Sequence, residues 1–462
     1  MIMPGPVSIP LPPGVASLLA RLEAAGHTAY VVGGCVRDSL LGITPGDWDI
    51  CTSAMPEQTQ AIFADCRQVL TGIKHGTVTV LCGGKAYEIT TYREDGDYLD
   101  HRHPQDVHFV PRVEGDLARR DFTVNAMAYN PGTGLVDCFG GRQDLADHVV
   151  RCVGEPSARF GEDALRVLRA VRFAAKLDFT IDPDTAHAAE TQCGSVQTVS
   201  PERIFAELDK LLAGPAAGRV LAEYGRILTG ALPEVAACIG CTQPGRWHCY
   251  DVWHHTAAAV GAVRRDLTPE SARIVRWTML LHDMAKPLCR TESPDGAAHF
   301  PGHNQRGARL ADQILRRLRA PTALRLEVCS LVGVHDGPLP EESPAILRLL
   351  AEHGETWLGR LCAVKLADLA AHARNPAVAA REEEVRAFEE KMHFLARTGC
   401  YTLHRLQVGG GDALTAGIRP GPAVGEALHG LLEQVMDGLL PNDRAVLLLE
   451  LKKYAVGKNR PE

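Results

Sequence analysis

Apolar residues recur every three to four positions over 15–26, where Val15, Leu18, Leu19 and Leu22 share one side, and the spacing predicts a helix. Continuous β-formers follow: Ala29-Tyr30-Val31-Val32 reads as a strand running into Gly33-Gly34. Residues 77–81 (TVTVL) and 87–92 (YEITTY) read as two more strands, with Gly83-Gly84 as the hairpin turn between them. The polar stretch 93–108, broken by Gly and Pro, reads as a mobile loop. Near residue 150 the period changes, and almost everything beyond is helical, with breaks at Gly214-Pro215, 293–296 and Gly337-Pro338. The pattern therefore predicts an α+β chain. An N-terminal α/β head with a small mixed or antiparallel sheet fills 1–150, a helical neck 151–235, a second helical domain 236–397 and a helical tail 398–462. No internal repeat or low-complexity tract is visible.

Composition narrows the classes. With 462 residues, 45% apolar and 23% charged, the chain has the make-up of a globular protein of several domains. No apolar run approaches bilayer length, so no membrane-spanning helix is expected. The N-terminal MIMPGPVSIPLPPG lacks the charged and apolar regions of a signal peptide. Fourteen cysteines without framework spacing predict reduced thiols in a cytoplasmic protein. A net charge of −7 argues against indiscriminate nucleic-acid binding but leaves room for local basic stretches. These lie at Arg112, Arg119 and Arg120, at 159–172, and at 306–319.

Candidate chemistry concentrates in Gly33-Gly34-Cys35-Val36-Arg37-Asp38 and, beyond Pro45, Asp47-Trp48-Asp49. If a strand begins at Trp48, the carboxylates of Asp47 and Asp49 leave one face and repel unless a divalent cation lies between them. Hard oxygens of this kind suit Mg²⁺, which takes one or two carboxylates plus substrate phosphates. Gly33-Gly34 allows backbone N–H groups to approach a triphosphate, and Arg37 adds a charged fork. The set describes nucleotidyl transfer with metal at the reacting phosphate. Arg119-Arg120-Asp121 reads equally as a phosphate or ribose clamp and as a surface salt bridge opening a helix.

Residues 162–172 (EDALRVLRAVR) place Asp163, Arg166 and Arg169 three apart on a helix, with Arg172 continuing the face. One reading is an amphipathic helix with an ion pair. The other is a base-reading pair. A carboxylate accepts from an exocyclic amine while a guanidinium donates to a ring nitrogen, as cytosine and adenine both require. Uracil and guanine would leave both groups unpaired, which is how a site discriminates strongly.

Five stretches together, at 33–52, 71–80, 87–104, 119–128 and 162–173, resemble the bacterial class II CCA tRNA nucleotidyltransferases of the polymerase-beta-like superfamily. The resemblance implies stepwise addition of C, C and A to tRNA from CTP and ATP. It implies Asp47 and Asp49 as the catalytic, Mg²⁺-binding pair, and Gly34, Arg37 and Arg120 as triphosphate contacts. Asp163 and Arg166 would read the incoming base, with Arg169 and Arg172 holding the nucleotide. Poly(A) polymerases are the nearest alternative, followed by partial CC- or A-adding enzymes. The 71–77 stretch is closer to the CCA enzymes, and the loop with Arg93, Asp95, Gly96, Tyr98 and Asp100 implies completion with A.

A second set, His255, His282-Asp283, His303, His335 and Asp368, resembles the HD metal-dependent phosphohydrolases. It implies a divalent transition metal and phosphohydrolase chemistry on damaged tRNA 3′ ends; His254 and Asp336 are further ligand candidates. Cys238, Cys241 and Cys249 lack the second half of a structural zinc site and are expected to pack as thiols. No protein partner is implied.

Overall fold

The computed structural model describes residues 7–96, 107–245, 247–294 and 296–458. The first helix runs Pro13–Ala24, starting two residues earlier than the periodicity suggests because Pro13 suits a first helical position. It buries Val15, Leu18, Leu19 and Leu22, the stripe its sequence repeats.

Nine strands follow in the N-terminal part: β1 (Ala29–Val32), β2 (Ile50–Thr52), β3 (Arg67–Val69), β4 (Thr77–Cys82), β5 (Lys85–Thr91), β6 (Arg93–Asp95), β7 (Val107–Phe109), β8 (Met127–Asn130) and β9 (Gly134–Asp137). Seven of them form one mixed sheet in the order β3-β4-β5-β2-β1-β8-β9, and β6 pairs with β7 apart from it. Gly83 and Gly84 have φ of +58° and +77°, the left-handed pair that a tight two-residue hairpin turn between β4 and β5 requires. Central β2 is buried at all three residues, as expected of a strand covered on both faces.

Two pairings matter most. β1 runs antiparallel to β2, matching Val31 with Ile50, so the Gly-Gly turn that ends β1 adjoins the start of β2. β5 runs parallel to β2, matching Ile50 with Ile89, which sets Glu88 beside Asp49. Asp47 and Asp49 precede β2 rather than lying in it; the Asp49 carbonyl nevertheless accepts from Val32 N at 3.0 Å, which extends the ladder to the motif.

Beyond residue 150 the chain is helical apart from short ribbons, and it divides into two compact units. One comprises residues 1–240 with 313–321; the other comprises 241–312 with 322–462. The helix Leu165–Leu177 is buried along most of its length, its arginines included: Arg166 and Arg172 are each 8% exposed. The amphipathic reading with solvated arginines is therefore replaced by one in which the cations are held inside. The second unit has its own core, in which Ile346, Leu350, Leu358, Met392, Leu447 and Leu451 pack together.

A chain of polar contacts through Asp121 joins Arg169 on the helix Leu165–Leu177 to the buried Arg37. The Asp121 carboxylate accepts from Arg169 Nε at 2.7 Å, from Asn125 Nδ2 at 3.3 Å and from the Phe122 amide at 2.9 Å. Asn125 Oδ1 in turn accepts from Arg37 at 2.5 Å. Residues 119–122 are not the opening of a helix; only a single 3-10 turn, Thr123–Asn125, follows. Burial pushes the Asp121 carboxyl up, but Arg169 and then Arg166 outweigh it and hold it at about 2.

An unfolded Asp titrates near 3.9, so the unfolded chain takes up this proton first on acidification. The contribution of Asp121 is complete above about pH 4 and disappears as pH falls through the folded value, with a size on the order of 2 kcal/mol. Asp121→Asn should therefore destabilise the chain at neutral pH and flatten its loss of stability between pH 4 and 2. Denaturant titrations across that range would show both; an unchanged midpoint at pH 7 would contradict the assignment.

Candidate functional sites in the head and the second unit

In the head, Gly33 has φ +79°, and an added Cβ there would stand 2.7 Å from Arg120 Nη1. Glycine is required twice over: for the backbone and for the guanidinium that fills the space. Arg120 also bonds Asp116 Oδ2 at 3.1 Å, alongside Arg119 at 2.7 Å to Oδ1. Asp116 is fully buried and, although burial opposes it, Arg120 and Arg119 keep its carboxyl low.

Asp49 is exposed, yet enough protein crowds its carboxyl that desolvation is the leading cause raising it. Glu88 adds to that rise, Arg120 opposes it, and Asp47 adds to it. The structure thus brings together Asp47, Asp49, Arg120 and the Gly-Gly turn, together with a third carboxylate, Glu88, that sequence reasoning missed. Its signal was present: Glu88 is the lone acid on the polar side of YEITT, and only the parallel β2–β5 register reveals its neighbour. Three acids at the end of a sheet fit a hard divalent cation.

Arg37 is only 3% exposed, with its fork spent on Asp38 and Asn125, although it lies close to Gly34. Asp163 corrects the shared-face expectation. It sits off the helix with φ −135° and ψ 106°, because its Oδ1 accepts from Leu165 N at 3.0 Å, the local bond by which Asp competes with helix. Its other oxygen pairs with Arg203 at 3.2 Å, not with Arg166. Arg166 donates to the carbonyls of Arg159 (3.1 Å) and Arg119 (3.0 Å) and to Glu162. Its bond to the Arg119 carbonyl ties it to the residue next to Arg120. Arg172 pairs with Glu207, whereas Arg169 stays on Asp121. Residues Tyr98 and Asp100 of the expected loop lie outside the described residues.

In the second unit, His255 lies on the helix Val252–Gly261, His282 closes Pro269–Leu281, His303 opens His303–Arg317, and His335 follows Thr322–Val334. Asp368 comes from the long helix Ser343–Ala370. His255 Nε2 is 2.9 Å from Asp368 and 3.3 Å from His282 Nε2, and His303 Nε2 is 3.4 Å from His335 Nε2. Asp283 stands between the pairs, with Oδ2 3.3 Å from His282 and Oδ1 3.5 Å from His303. The four imidazoles present Nδ1 to backbone carbonyls at 2.7–3.2 Å. Bonding there as N–H donors leaves each Nε2 lone pair facing the centre, the usual outer support of metal-binding imidazoles.

Burial favours a neutral His282 ring, but Asp283 and Asp368 overcome it and push it up to about 10. Both Asp283 oxygens are buried without an aligned hydrogen-bond donor, although the Lys286 ammonium lies 2.7 Å away in an ion pair. Orphaned carboxylate oxygens amid converging imidazoles fit a divalent transition metal. Histidines and acids here form groups with ligand atoms within 4.8 Å of one another, one of them adding His372 and also His248, which the sequence had set beside the cysteines rather than with this cluster. No cysteine joins such a group among the described residues; Cys238 is buried, Cys241 half-buried and Cys249 exposed.

Comparison with known proteins follows this division. Residues 29–151 match the Poly A polymerase head domain, 178–239 the "Probable RNA and SrmB- binding site of polymerase A", and 247–375 the HD domain. A CCA-adding enzyme of Limosilactobacillus fermentum is 33% identical over 447 residues, covering 93% of this chain and 94% of that one. The chain belongs to the CCA-adding enzyme family. A Geobacillus stearothermophilus member is 48% identical over 222 residues, a match spanning 47% of this chain and about half (54%) of the relative. The solved Bacillus stearothermophilus CCA-adding enzyme in complex with CTP shares the fold with a TM-score of 0.68 and 30% identity, over 97% of this chain and 99% of that one. Among the described residues no helix is long and apolar enough to cross a membrane.

Protein purified without chelator should carry a transition metal, and Asp283→Ala should weaken its retention by more than about tenfold. Elemental analysis checks both, and equal metal content in the two proteins would remove the assignment.

Proposed function

We propose that this chain adds C, C and A, one nucleotide at a time, to the 3′ end of tRNA, using CTP and ATP without a nucleic-acid template. The observation that carries the reading is that Asp47 and Glu88 both act electrostatically on Asp49, with Arg120, which fills the space at Gly33, opposing them. The tRNA 3′-oxygen attacks the α-phosphorus, the bond to the β-phosphate oxygen breaks, pyrophosphate leaves and the hydroxyl proton passes to water. Mg²⁺ held by Asp47 and Asp49, with Glu88 alongside, would supply charge neutralisation at the reacting phosphate and a more acidic hydroxyl. Gly34 leaves room for the triphosphate to meet backbone amides, and Arg120 and Arg37 set positive charge around it. Arg169 and Arg172 hold the nucleotide side of the cleft.

Base choice falls to Asp163 and Arg166. Their polar atoms are bonded within the chain to Arg203, Leu165 N, Glu162 and two carbonyls. A base must replace those partners, which cytosine and adenine do and uracil and guanine do not. The loop across 93–104 would shift this pair between C and A. The basic helical segments of the first unit would take tRNA by shape and phosphates.

The second unit supports a second activity of the same chain, hydrolysis of phosphoesters at RNA 3′ ends. Its specific observation is the buried Asp283 carboxylate, without an aligned hydrogen-bond donor, among four inward-facing imidazoles. Water adds to phosphorus, the ester P–O bond breaks, and the proton goes to the leaving sugar oxygen. A bound transition metal would supply the activated water and polarise the phosphate.

Incubating the protein with tRNA that ends at the discriminator base, and each labelled NTP in turn, tests the first reading. Two C and then one A are expected; long A tails would favour a poly(A) polymerase. Asp47→Ala should abolish incorporation while gel-shift binding of tRNA persists. Arg166→Ala should admit UTP or GTP, and unchanged nucleotide choice would remove the base-reading pair. Glu88→Gln should raise the Mg²⁺ concentration needed for half-maximal rate, whereas a purely structural Glu88 would leave that requirement where it was.

A further inference from the structure

The His/Asp cluster of the second unit opens into more space than a phosphate fills. A cleft of about 600 Å³ passes over Asp283, His303, His335 and Asp368. A second, of about 840 Å³, shares Trp247, His248, His335, Asp336, Asp368 and His372 with it. The two clefts adjoin along these residues, and each alone has the volume for a nucleotide-sized ligand rather than a lone phosphoryl group.

At the junction stands Trp247. Its carbonyl accepts from Ala373 N at 2.8 Å, fixing its backbone to the segment just past His372. Its ring packs in part on the core of the second unit and in part lines the clefts. The Arg381 guanidinium lies 5.1 Å from the ring centroid, on an exposed side chain able to swing outward. Indole and guanidinium planes are the two surfaces on which proteins stack unpaired nucleobases. Here they stand beside a cluster built for a phosphoester.

We propose that Trp247 is the base platform of this site: the nucleobase of a terminal ribonucleotide stacks on its indole, Arg381 closes over the outer face, and the 2′- or 3′-phosphate lies at the His/Asp cluster. The inference rests on the phosphohydrolase reading and adds to it the residue that selects the nucleoside part of the substrate. Lys365 braces the opposite wall, donating to the His335 carbonyl at 2.8 Å and to that of Gly337.

The test uses the metal-loaded full chain, with metal content measured for every variant, and two phosphoesters: adenosine 2′-monophosphate and base-less glycerol 2-phosphate. Trp247→Ala should raise KM for the nucleotide by about tenfold and leave kcat and glycerol phosphate hydrolysis unchanged. Trp247→Phe should restore most of the loss, and Arg381→Ala, an exposed change that spares folding, should weaken the nucleotide alone. Calorimetric binding of adenosine 2′-monophosphate should follow the same order. A short RNA ending in a 2′-phosphate separates the sources: tighter binding than the mononucleotide marks a chain end, equal binding a free nucleotide, and in both cases Trp247 is needed. Equal damage to both phosphoesters, or a Kd indifferent to Trp247 and Arg381, overturns the proposal. Trp247-dependent nucleotide binding without hydrolysis of either ester would overturn the phosphohydrolase reading and leave the platform standing; no nucleotide binding overturns the platform.

Discussion

The carboxylate of Asp121 is the joint on which the first unit depends. It is 7% exposed and collects the Arg169 guanidinium, an Asn125 amide and its own neighbour's N–H. Through Asn125 it also steers Arg37, on the helix that begins at Gly34. The Gly-Gly helix, the RRD segment and the helix 165–177 are thus tied by one buried polar path. Removing one member would strand the others as buried charges, which costs far more than a surface pair is worth. Cations near a polyphosphate site gain from this arrangement. On the proposed function their positions are set before a nucleotide arrives, so little ordering is left for binding to accomplish.

The two units solve the problem of gathering metal-type ligands in opposite ways. In the head the acids are open to solvent, and their closeness follows from backbone pairing alone: β1 antiparallel and β5 parallel to β2. Such a set suits an ion that arrives with substrate phosphates and keeps several waters. In the second unit the ligand atoms are buried, and each imidazole is braced by a carbonyl, in three cases the one three residues earlier. A braced, dry set suits a resident transition metal. In that geometry the Asp283 and Asp368 carboxylates face the His282 ring and, against its burial, raise its pKa.

Much of this was legible in the chain. The strand Ala29–Val32, the hairpin at Gly83-Gly84 and the change to helix near 150 follow from local periodicity and turn chemistry, and the structure has them. Asp163 was not legible as an off-helix residue, because a side chain that bonds its own backbone overrides an i,i+3 pattern that fits a helix well. The burial of Arg166 and Arg172 was hidden for a related reason: composition treats arginine as surface, and only tertiary partners such as Glu207 and the Arg119 carbonyl reveal otherwise. Glu88 escaped because its meaning lies in strand register. A parallel pairing between segments some forty residues apart leaves no trace in either segment read by itself.

The partners of Asp163 and Arg166 bear on how a protein surface could choose a base. On the proposed reading, neither group waits unpaired; each is satisfied within the chain, Asp163 by Arg203 and a backbone amide, Arg166 by two carbonyls and Glu162. Binding is then an exchange of hydrogen bonds, and its net free energy is small when the incoming edge is complementary. A mismatched edge breaks the internal bonds without replacing them, and a buried donor or acceptor left alone costs about 1–3 kcal/mol. Two such groups failing together give a discrimination that neither gives singly, so selection comes from the penalty on wrong bases more than from attraction to right ones. This also accounts for acceptance of both C and A: an amine beside a ring nitrogen is common to both, and the pair has no contact that would distinguish a pyrimidine from a purine. That further distinction has to come from the shape of the space around the pair.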